Sequence, residues 1–483
     1  MKKSLPEQPL RSPIPFHTGS NGEFVPRDPT DLDRRAEARY REIVDENSRR
    51  LGISRRKFID SACGTAAALL VINQVYGCGG GDDPTGDGGF AVDANAAIDA
   101  DAACVALDGD EFLFDVQTHH VNPEGTWRGG TWEFALGTFP QAGCGEPDNM
   151  DCFDLNHYIR EMFINSDTHV AVLSAVPAQD ADQPLNRQET HETMNIINAL
   201  QGSPRLVTHG LVLADRGQAE LDGMQNLKET LDVSAWKTYT QFGGWRFTDS
   251  DGIAFIEKAL ELDTDIICTH KGLSLFGLDP AFASPADIGP SAVAYPAMRF
   301  VVYHSGYESG NTEGPYDPSS TEGVDTLIKT IEDNALGLNS NVYAELGSTF
   351  RGVMTSPTQA QHLIGKLLKH VGEDRILWGT DSIWYGSPQD QIDAFRALTI
   401  STELQGTYGY PALTDAIKAK ILGLNAAELY GIDVAATRCA IEEDDITARK
   451  QELDRPAPSF YTYGPQTRRE FFAFLRSRDG MPG

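Results

Sequence analysis

Short apolar runs alternate with amphipathic stretches from residue 111 onward. The apolar runs are rich in Val, Ile, Leu and Phe and lack a polar face, as is typical of strands that are buried on both sides. The predicted strands are 112–117, 168–176, 205–213, 233–239, 265–270, 299–304, 341–346 and 375–381. The predicted helices are 154–165, 187–200, 215–230, 250–262, 322–336, 358–371 and 389–398, and the segment after the fifth strand is only weakly helical. This order predicts an α/β chain folded as a parallel (β/α)₈ TIM barrel.

Polar side chains with metal-binding or acid–base chemistry collect where these strands end. In a barrel of this kind the carboxyl ends of all strands meet at one mouth, where active sites lie. A single histidine at a strand end is commonly structural, but several at successive strand ends indicate a shared site. The residues in question are Gln117, His119, Lys237, His270, His304 and Asp381.

Four motifs give the chain a family resemblance. They read "ICTHKG", "VVYHSG", "ILWGTD" and, at 419–432, "AKILGLNAAELYGI". In this order they resemble the amidohydrolase superfamily, in the branch that includes aminocarboxymuconate-semialdehyde decarboxylase. The resemblance covers roughly 111–433 and implies an enzyme with a TIM-barrel fold.

The resemblance also implies a metal site and a chemistry. His119 and His270 would bind one divalent metal, zinc in most of the family, with manganese or iron as alternatives. Asp381 would bind the metal or hold its water, and His304 would be the catalytic acid or base. The implied reaction is hydrolysis, or decarboxylation without oxidation, of a small carboxylated or cyclic substrate by metal-activated water.

The first strand departs from the family pattern. The family has Asp-x-His-x-His there, whereas this chain has Asp115-Val116-Gln117-Thr118-His119. Gln117 and His119 share one face of the strand, because residues two apart in a strand do so. Gln117 can bind the metal through its amide oxygen, or His119, His270 and Asp381 can hold it alone. Otherwise the site is metal-free and the barrel is a binding protein tethered to the cell envelope.

Four further residues are candidates for substrate binding. Lys237 can contact a substrate carboxylate, form an ion pair at the edge of the core, or carry a carbamate that bridges two metals as in two-metal relatives. Arg246 and Arg351 follow the fourth and seventh strands and can grip an anionic substrate. Trp127, with Trp132, lies in the long loop after the first strand and can wall an aromatic pocket or pack in the core.

The ends of the chain predict segments outside the barrel. Residues 54–59 read "SRRKFI" and precede an uncharged stretch ending in "VYGC", which resembles a twin-arginine export leader with a lipidated Cys78. We therefore expect a leader at 1–78, a disordered acidic linker at 79–110, the barrel at 111–433 and a C-terminal extension at 434–483 that lies against the barrel. The expected location is the periplasm or cell envelope, with a lipid anchor as the only membrane contact.

Charge and cysteine content limit the partners. The net charge is −30: residues 1–78 contribute 13 − 10 = +3, and the remainder contributes 27 − 60 = −33. An acidic body of this kind repels phosphate backbones, so we expect no nucleic-acid partner. Cys144 and Cys152 flank a short loop and are predicted to pair. A small-molecule substrate is expected, and a homodimer is left open.

Overall fold

The computed structural model describes residues 11–17, 28–77, 89–178, 182–200, 204–231, 233–274 and 278–452. Ten strands are present among them: β1 Gly89–Phe90, β2 Phe114–Thr118, β3 Val170–Leu173, β4 Leu206–Leu211, β5 Ala235–Thr238, β6 Ile266–His270, β7 Arg299–Tyr303, β8 Val342–Glu345, β9 Ile376–Leu377 and β10 Leu398–Thr399. Strands β2 to β9 form one sheet in chain order, with parallel pairing throughout. All eight lie where the apolar runs predicted them.

The sheet closes into a barrel because its first and last strands also meet. The N–H of Val116 donates to the carbonyl of Trp378 at 3.0 Å, and the N–H of Asp381 donates to the carbonyl of Gln117 at 2.9 Å. A parallel bridge joins Thr118 to Ser382. The predicted (β/α)₈ barrel is therefore confirmed, and closure brings the first-strand and last-strand motifs side by side.

Helices surround the barrel and also lie outside it. They are α1 Asp31–Leu51, α2 Arg55–Ile59, α3 Ala62–Tyr76, α4 Ala100–Leu107, α5 Thr131–Leu136, α6 Leu155–Ile159, α7 Arg187–Ala199, α8 Gln218–Leu231, α9 Thr240–Gly243, α10 Ser250–Glu261, α11 Ile288–Ala294, α12 Asp325–Asp333, α13 Thr349–Val353, α14 Pro357–His370, α15 Gln389–Ala397, α16 Thr402–Tyr408, α17 Asp415–Ala419, α18 Asn425–Tyr430, α19 Val434–Glu442 and α20 Asp445–Glu452. In the described part of the link after the fifth barrel strand, which excludes 275–277, there are two short helical turns and α11, in agreement with the weak helical pattern.

Helices α1 to α4 and strand β1 form what we call the N-terminal unit, residues 28–77 and 89–107. Residues 66–72 of α3 are completely or almost completely buried, and α3 packs against α14 and α15 of the barrel. The Asn73 side chain bonds both the N–H and the carbonyl of Phe90, at 2.9 and 2.6 Å. Strand β1 pairs antiparallel with β10.

The expectation of a disordered linker at 79–110 is corrected for the part that the structure describes. Residues 89–107 contain β1 and α4, and Ala103 and Leu107 are buried. Small alanine side chains give this acidic stretch an apolar face, which composition alone hides. Cys78, the predicted lipidation site, lies outside the described residues. No helix in the described ranges is both long enough and apolar enough to cross a membrane.

The first part of the C-terminal extension lies against the barrel. Asp444, between α19 and α20, forms a buried ion pair with Arg205 at the start of β4. Lys450 of α20 reaches Asp167 at 3.2 Å. Residues 453–483 lie outside the described part of the chain. The predicted disulfide between Cys144 and Cys152 is present.

Candidate functional site

A cavity of about 330 Å³ opens at the carboxyl ends of the barrel strands. This volume is at the small end of the roughly 300–1,000 Å³ found for small-molecule sites. Its lining residues are Gln117, His119, Thr131, Trp132, Ala135, Phe139, Val176, Pro177, Tyr239, Phe242, His270, Leu278, His304, Asp381 and Trp384. Five of the residues predicted to share a site therefore do share one: Gln117, His119, His270, His304 and Asp381.

His119 and Asp381 form the first of two close pairs in this cavity. Nε2 of His119 lies 3.2 Å from Oδ1 of Asp381, and Nδ1 donates to the carbonyl of Ser174 at 2.7 Å. Burial raises the pKa of Asp381, but the contacts with His119, His304 and Ser348 together outweigh burial and hold the pKa below its usual range. The hydroxyl of Ser348 donates to the other carboxylate oxygen at 2.7 Å. The carboxylate is thus charged and held at both oxygens.

His270 and His304 form the second pair. Nε2 of His304 lies 3.1 Å from Nδ1 of His270. The opposite nitrogens face backbone carbonyls, that of His304 at Gly347 (2.7 Å) and that of His270 at Leu273 (3.3 Å). Those nitrogens must carry the protons, because a carbonyl only accepts. Two bare nitrogen lone pairs therefore face each other, an arrangement that needs a proton or a cation.

Gln117 lies between the two pairs. Its Nε2 donates to Oδ1 of Asp381 at 3.1 Å and lies 3.4 Å from Nε2 of His304. Its Oε1 is buried and has no hydrogen-bond partner among the described residues. As placed, the amide offers two N–H donors to a cluster of acceptors. Turning the amide by half a rotation would present an oxygen to them instead.

The donor set suits a divalent cation in its chemistry. Neutral imidazoles and a carboxylate are zinc-type ligands, and a metal-binding histidine usually donates its second ring N–H to a carbonyl, as His119 does at Ser174. The side chains are arranged as two pairs, however, His119 with Asp381 and His270 with His304. No three of their ligand atoms lie within 4.8 Å of one another. In the described ranges, only Cys144, Glu146 and His157 meet that spacing. Cys144 is in a disulfide and cannot serve as a thiolate.

The backbone at the site is held in uncommon conformations. His304, Ser348 and Asp381 have φ angles of 66°, 54° and 61°, a region that residues other than glycine rarely adopt. Buried Glu345 helps to hold the backbone at His304, because its carboxylate accepts from the N–H of His304 at 3.0 Å and from that of Gly347 at 2.6 Å. Strain of this kind costs about 1–3 kcal/mol per residue and concentrates at functional sites.

Four predicted substrate contacts do not line the cavity. Arg351 is buried in an ion pair with Asp390 at 3.1 Å. The guanidinium of Arg246 lies over the Phe282 ring at 4.5 Å. Trp127 is buried and donates to the carbonyl of Asn122 at 2.8 Å, so of the two loop tryptophans it is Trp132 that walls the cavity.

Lys237 is the fourth. It is fully buried, with Nζ 3.4 Å from the centre of the Tyr303 ring and no hydrogen-bond partner among the described residues. Burial lowers the pKa of Lys237 to about 7. Of the three roles considered for Lys237, the ion pair at the core edge is not seen among the described residues, and the substrate contact and the carbamate stay predictions.

Sequence reasoning missed most of the aromatic wall. Trp384 stacks on His119 with ring centres 5.0 Å apart, and Tyr239 faces His270 at 5.5 Å. Phe139 and Phe242 complete the wall. One signal was present in the sequence, because Trp384 follows Asp381 within the stretch "GTDSIWYG".

No curated protein sequence matches the chain. The chain has 12% identity and a TM-score of 0.40 to a variant of 5-carboxyvanillate decarboxylase from Novosphingobium aromaticivorans, solved with manganese and 3-methoxy-4-hydroxy-5-nitrobenzoic acid; the match covers 67% of this chain and 98% of that one. It has 14% identity and a TM-score of 0.37 to 2,6-dihydroxybenzoate decarboxylase solved with 2,6-dihydroxybenzoate, covering 66% and 98%. The chain has 13% identity and a TM-score of 0.45 to an uncharacterised TIM-barrel protein from Bordetella bronchiseptica. This match covers 66% of this chain and 99% of that one.

A family model described as Amidohydrolase matches residues 135–432, more than half of the 483 residues. The match starts after β2 and so excludes Gln117 and His119. It includes the three motifs that contain His270, His304 and Asp381. It also includes the last motif, whose Asn425 donates to the carbonyls of Glu373 and Ile376 at 2.8 Å each. The resemblance inferred from these motifs is confirmed, and the chain belongs to the amidohydrolase family of enzymes.

Proposed function

We propose that this protein is a metal-dependent amidohydrolase that converts a small molecule bound in the cavity, by hydrolysis or by decarboxylation. The convergence of acceptors carries the proposal. His119, His270 and His304 each turn one ring nitrogen to a backbone carbonyl, so that their other nitrogens face the cavity together with the Asp381 carboxylate. The Gln117 amide offers only two N–H groups to these four acceptors, and the Ser348 hydroxyl adds one donor, to Asp381. A divalent cation would bind the acceptors that have no hydrogen-bond donor.

His119, His270 and Asp381 would hold the cation, with zinc the first expectation and manganese or iron as alternatives. When bound, such an ion lowers the pKa of a water ligand towards about 7 and polarises a substrate oxygen. Asp381 is an ionised carboxylate beside His119 and is placed to accept a proton. The hydroxyl of Tyr385 lies 2.9 Å from that of Ser348, which fixes the orientation of this carboxylate.

His304 is the proposed acid–base residue. Burial lowers the pKa of His304 to about 4, so the imidazole is neutral at pH 7. Its Nδ1–H is committed to the carbonyl of Gly347, which leaves Nε2 to accept a proton on the cavity side. Nε2 is therefore placed to accept a proton from water and afterwards to donate that proton to the substrate.

The role of Gln117 has two versions within this proposal. Its unpartnered Oε1 could turn inward and serve as a fourth, weak ligand. Alternatively, the amide could stay as placed beside Asp381 and His304, and the other three ligands would hold the ion alone. Either version gives weaker metal binding than the two-histidine pattern of the family, because an amide is a poorer zinc ligand than imidazole.

A metal-free binding protein is the second candidate function. It is favoured by one observation: the N–H groups of Gln117 already point towards Asp381 and His304, where a cation would otherwise satisfy these acceptors. In that case the cavity would bind a small molecule without converting it. The two candidates differ in metal content, which can be measured directly.

The test is metal analysis of the full-length protein after gentle purification and after supplementation with zinc, manganese or iron. We expect about one ion per chain that chelators remove readily, and loss of occupancy in His270→Ala and in Asp381→Ala. His191→Ala is the matched control, because His191 contacts the carbonyl of Leu231 away from the cavity. Protein that takes up no metal under any of these conditions would support the binding protein.

We also propose that the chain is exported through its twin-arginine sequence and anchored by a lipid at Cys78. The sequence pattern supports this proposal, and the side chains of Arg55 and Arg56 are exposed in the folded protein. A receptor that recognises the arginines could therefore reach them. In the folded protein, packing of α3 against α14 and α15 covers the apolar part of this segment.

A further inference from the structure

A second group of metal-ligand side chains lies in the segment between β2 and β3, outside the residues that line the cavity. Nε2 of His157 lies 3.7 Å from Sγ of Cys144 and 3.5 Å from Oε1 of Glu146, and one ligand atom from each residue lies within 4.8 Å of the others. Cys144 is bonded to Cys152, so thiolates become available only when the disulfide is reduced. All four residues belong to the stretch "CGEPDNMDCFDLNH", and we call them the loop cluster.

The distances in the loop cluster agree with those around a tetrahedral zinc ion. Zinc bonds sulfur at about 2.3 Å, and imidazole nitrogen or carboxylate oxygen at about 2.0–2.2 Å. At the tetrahedral angle, a sulfur and a nitrogen ligand are then about 3.5 Å apart, and a nitrogen and an oxygen ligand about 3.4 Å. The separations of 3.7 Å from Cys144 to His157 and 3.5 Å from Glu146 to His157 are close to these values. One ion can therefore contact all three residues after small side-chain shifts.

Asp154 orients the imidazole of His157 for this role. Nδ1 of His157 lies 2.9 Å from Oδ1 of Asp154, and the backbone N–H of His157 donates to the same oxygen at 2.8 Å. Because a carboxylate only accepts, the proton of the neutral ring lies on Nδ1, and the lone pair of Nε2 faces Cys144 and Glu146. Metal-binding histidines are commonly held by a carboxylate in this way.

The backbone and the exposure of the loop cluster also suit an ion that arrives from solvent. Gly145 has a φ of 107°, which residues with a side chain rarely adopt, and this turn lets its two neighbours both approach His157. The side chain of Glu146 is 43% exposed, whereas that of His157 is 9% exposed and Cys152 is fully buried. A cation can thus reach Glu146 first and then the buried ligands.

We propose that the reduced protein binds one zinc-type divalent cation in the loop cluster, through Cys144, Cys152, Glu146 and His157. Reduction breaks the S–S bond, and two electrons and two protons convert the sulfurs to thiols. The cation then displaces the two thiol protons and bonds both sulfurs. Thiolate and imidazole ligands favour zinc over magnesium or calcium. This site is separate from the barrel mouth and does not depend on the function proposed there.

The loop cluster supports one wall of the cavity. The N–H of Gln141 donates to the carbonyl of Trp384 at 3.0 Å, and its Nε2 donates to the carbonyl of Cys152 at 3.0 Å. Thiols stay reduced in the cytosol, where a chain is made, and disulfides persist in oxidising compartments. A metal in the reduced chain and the disulfide in the oxidised chain would therefore hold the same segment beside Trp384.

The experiment titrates cobalt(II), and then zinc, into the full-length protein before and after reduction. A water-soluble phosphine reduces the disulfide, leaves as the phosphine oxide with an oxygen from water, and is removed under argon. Cobalt bonded to thiolate gives a charge-transfer absorption, which the barrel mouth cannot give, because none of its described lining residues is a cysteine. We expect this absorption only in the reduced protein, at one cobalt ion per chain, and its loss when zinc displaces cobalt.

Variants assign the ligands in the reduced protein. His157→Ala and Glu146→Gln should each weaken cobalt binding at least about tenfold, and Asp154→Asn, which keeps an acceptor for His157, by about tenfold. Cys152→Ser leaves Cys144 as a thiol without any reductant, so this variant should bind cobalt directly, with a weaker absorption. Cys439→Ser is the matched control, because Cys439 is an exposed free cysteine outside the loop cluster.

Three results would overturn the proposal. The first is a reduced, folded protein that gives no charge-transfer absorption, and the second is an absorption that survives Cys144→Ser combined with Cys152→Ser. The third is unfolding on reduction, seen by circular dichroism, that zinc does not reverse; recovery of the fold with zinc would support the site. His270→Ala should keep the absorption, so failure of the metal site at the barrel mouth and failure of the loop cluster are distinguishable.

Discussion

The cavity at the barrel mouth and the N-terminal unit differ in how well the sequence predicts their structure. At the mouth, the residues that the motifs single out do converge, because chemistry limits which residue types can serve there. In the N-terminal unit, a segment with the pattern of an export leader is buried against α14 and α15. An uncharged run of about fifteen residues is equally suited to a leader and to a core helix. A pattern based on specific side chains is thus more informative than one based on apolarity.

The two regions also differ in what holds them. Leu69, Leu70, Val71 and Ile72 of α3 are all at most 4% exposed, and burial of such side chains stabilises by about 1.5–3 kcal/mol each. The mouth instead buries charges and unpartnered acceptors, which cost free energy. The N-terminal unit should therefore contribute to stability, and the mouth to function.

Removal of residues 1–77 is expected to have the largest effect. The deletion exposes the faces of α14 and α15 that α3 covers, and it removes apolar burial comparable to the roughly 5–15 kcal/mol of a typical domain's stability. We expect aggregated or partly unfolded protein by circular dichroism and size-exclusion chromatography. A soluble deletion product with an unchanged melting temperature would mean that the unit is a dispensable leader.

Leu69→Ala tests the same packing with a single substitution. Leu69 is fully buried, so the variant should lose about 2–5 kcal/mol of unfolding free energy in urea titration. Leu338→Ala is the matched control, because Leu338 is 60% exposed and should cost less than about 0.5 kcal/mol. Equal, small losses in both variants would show that α3 is not packed in solution.

Acid should affect the barrel through histidines, none of which occurs in residues 28–107. Burial lowers the pKa of His169 to about 4, and its Nδ1 accepts from the N–H of Leu113 at 3.1 Å. The unfolded chain binds this proton below about pH 6.5, so stability falls as the pH falls from there to 4.

His169→Gln isolates this contribution, because Gln keeps an acceptor but does not titrate. Between pH 7.5 and 4.5 the variant should lose about 2 kcal/mol less unfolding free energy than the wild type. The same loss in both proteins would show that His169 is not held neutral by the fold.

Gln117→His probes the mouth with a smaller change. Restoring the family's histidine on the same strand face should tighten metal binding by at least about tenfold, which is about 1.4 kcal/mol. Chelator competition measures the affinity, and turnover of a model ester is measured beside it. Turnover need not rise with affinity, since the neutral amide can also position the substrate. Unchanged affinity would mean that residue 117 does not face the ion.

The smallest change in stability is expected for Arg55→Lys combined with Arg56→Lys. Both residues are exposed, so the unfolding free energy should stay within about 0.5 kcal/mol. Export through a twin-arginine route should nevertheless fail, and the full-length chain should accumulate in the cytoplasm. Arg49→Lys with Arg50→Lys is the control on α1. Retained export of the variant with Arg55→Lys and Arg56→Lys would contradict the leader assignment.

Cys78→Ala tests the lipid anchor separately. This variant should release exported protein from the membrane fraction.

The barrel was predictable because its strands are buried on both faces and therefore read as continuous apolar runs. The ligand candidates were predictable because the end of a barrel strand fixes where a side chain projects. The substrate contacts were not, because the sequence does not show that Asp390 lies within reach of Arg351 or that Tyr303 covers Lys237. Both contacts join residues brought together only by the closed barrel. The order in residues 89–107 was missed for a similar reason, since β1 depends on pairing with β10.

The pairing of β1 with β10 also means that the N-terminal unit cannot be completed until a much later part of the chain has been synthesised. Gly89 and Thr399 are 310 residues apart in the chain, so the partner of β1 leaves the ribosome long after α3 does. At about 5–20 residues per second this interval is roughly 15–60 s. During that time the uncharged helix has no barrel to cover it, and the cell's targeting and chaperone machinery can reach it. Once α15 and β10 are made, α3 is enclosed, so any factor that recognises this segment must reach it before the barrel is complete.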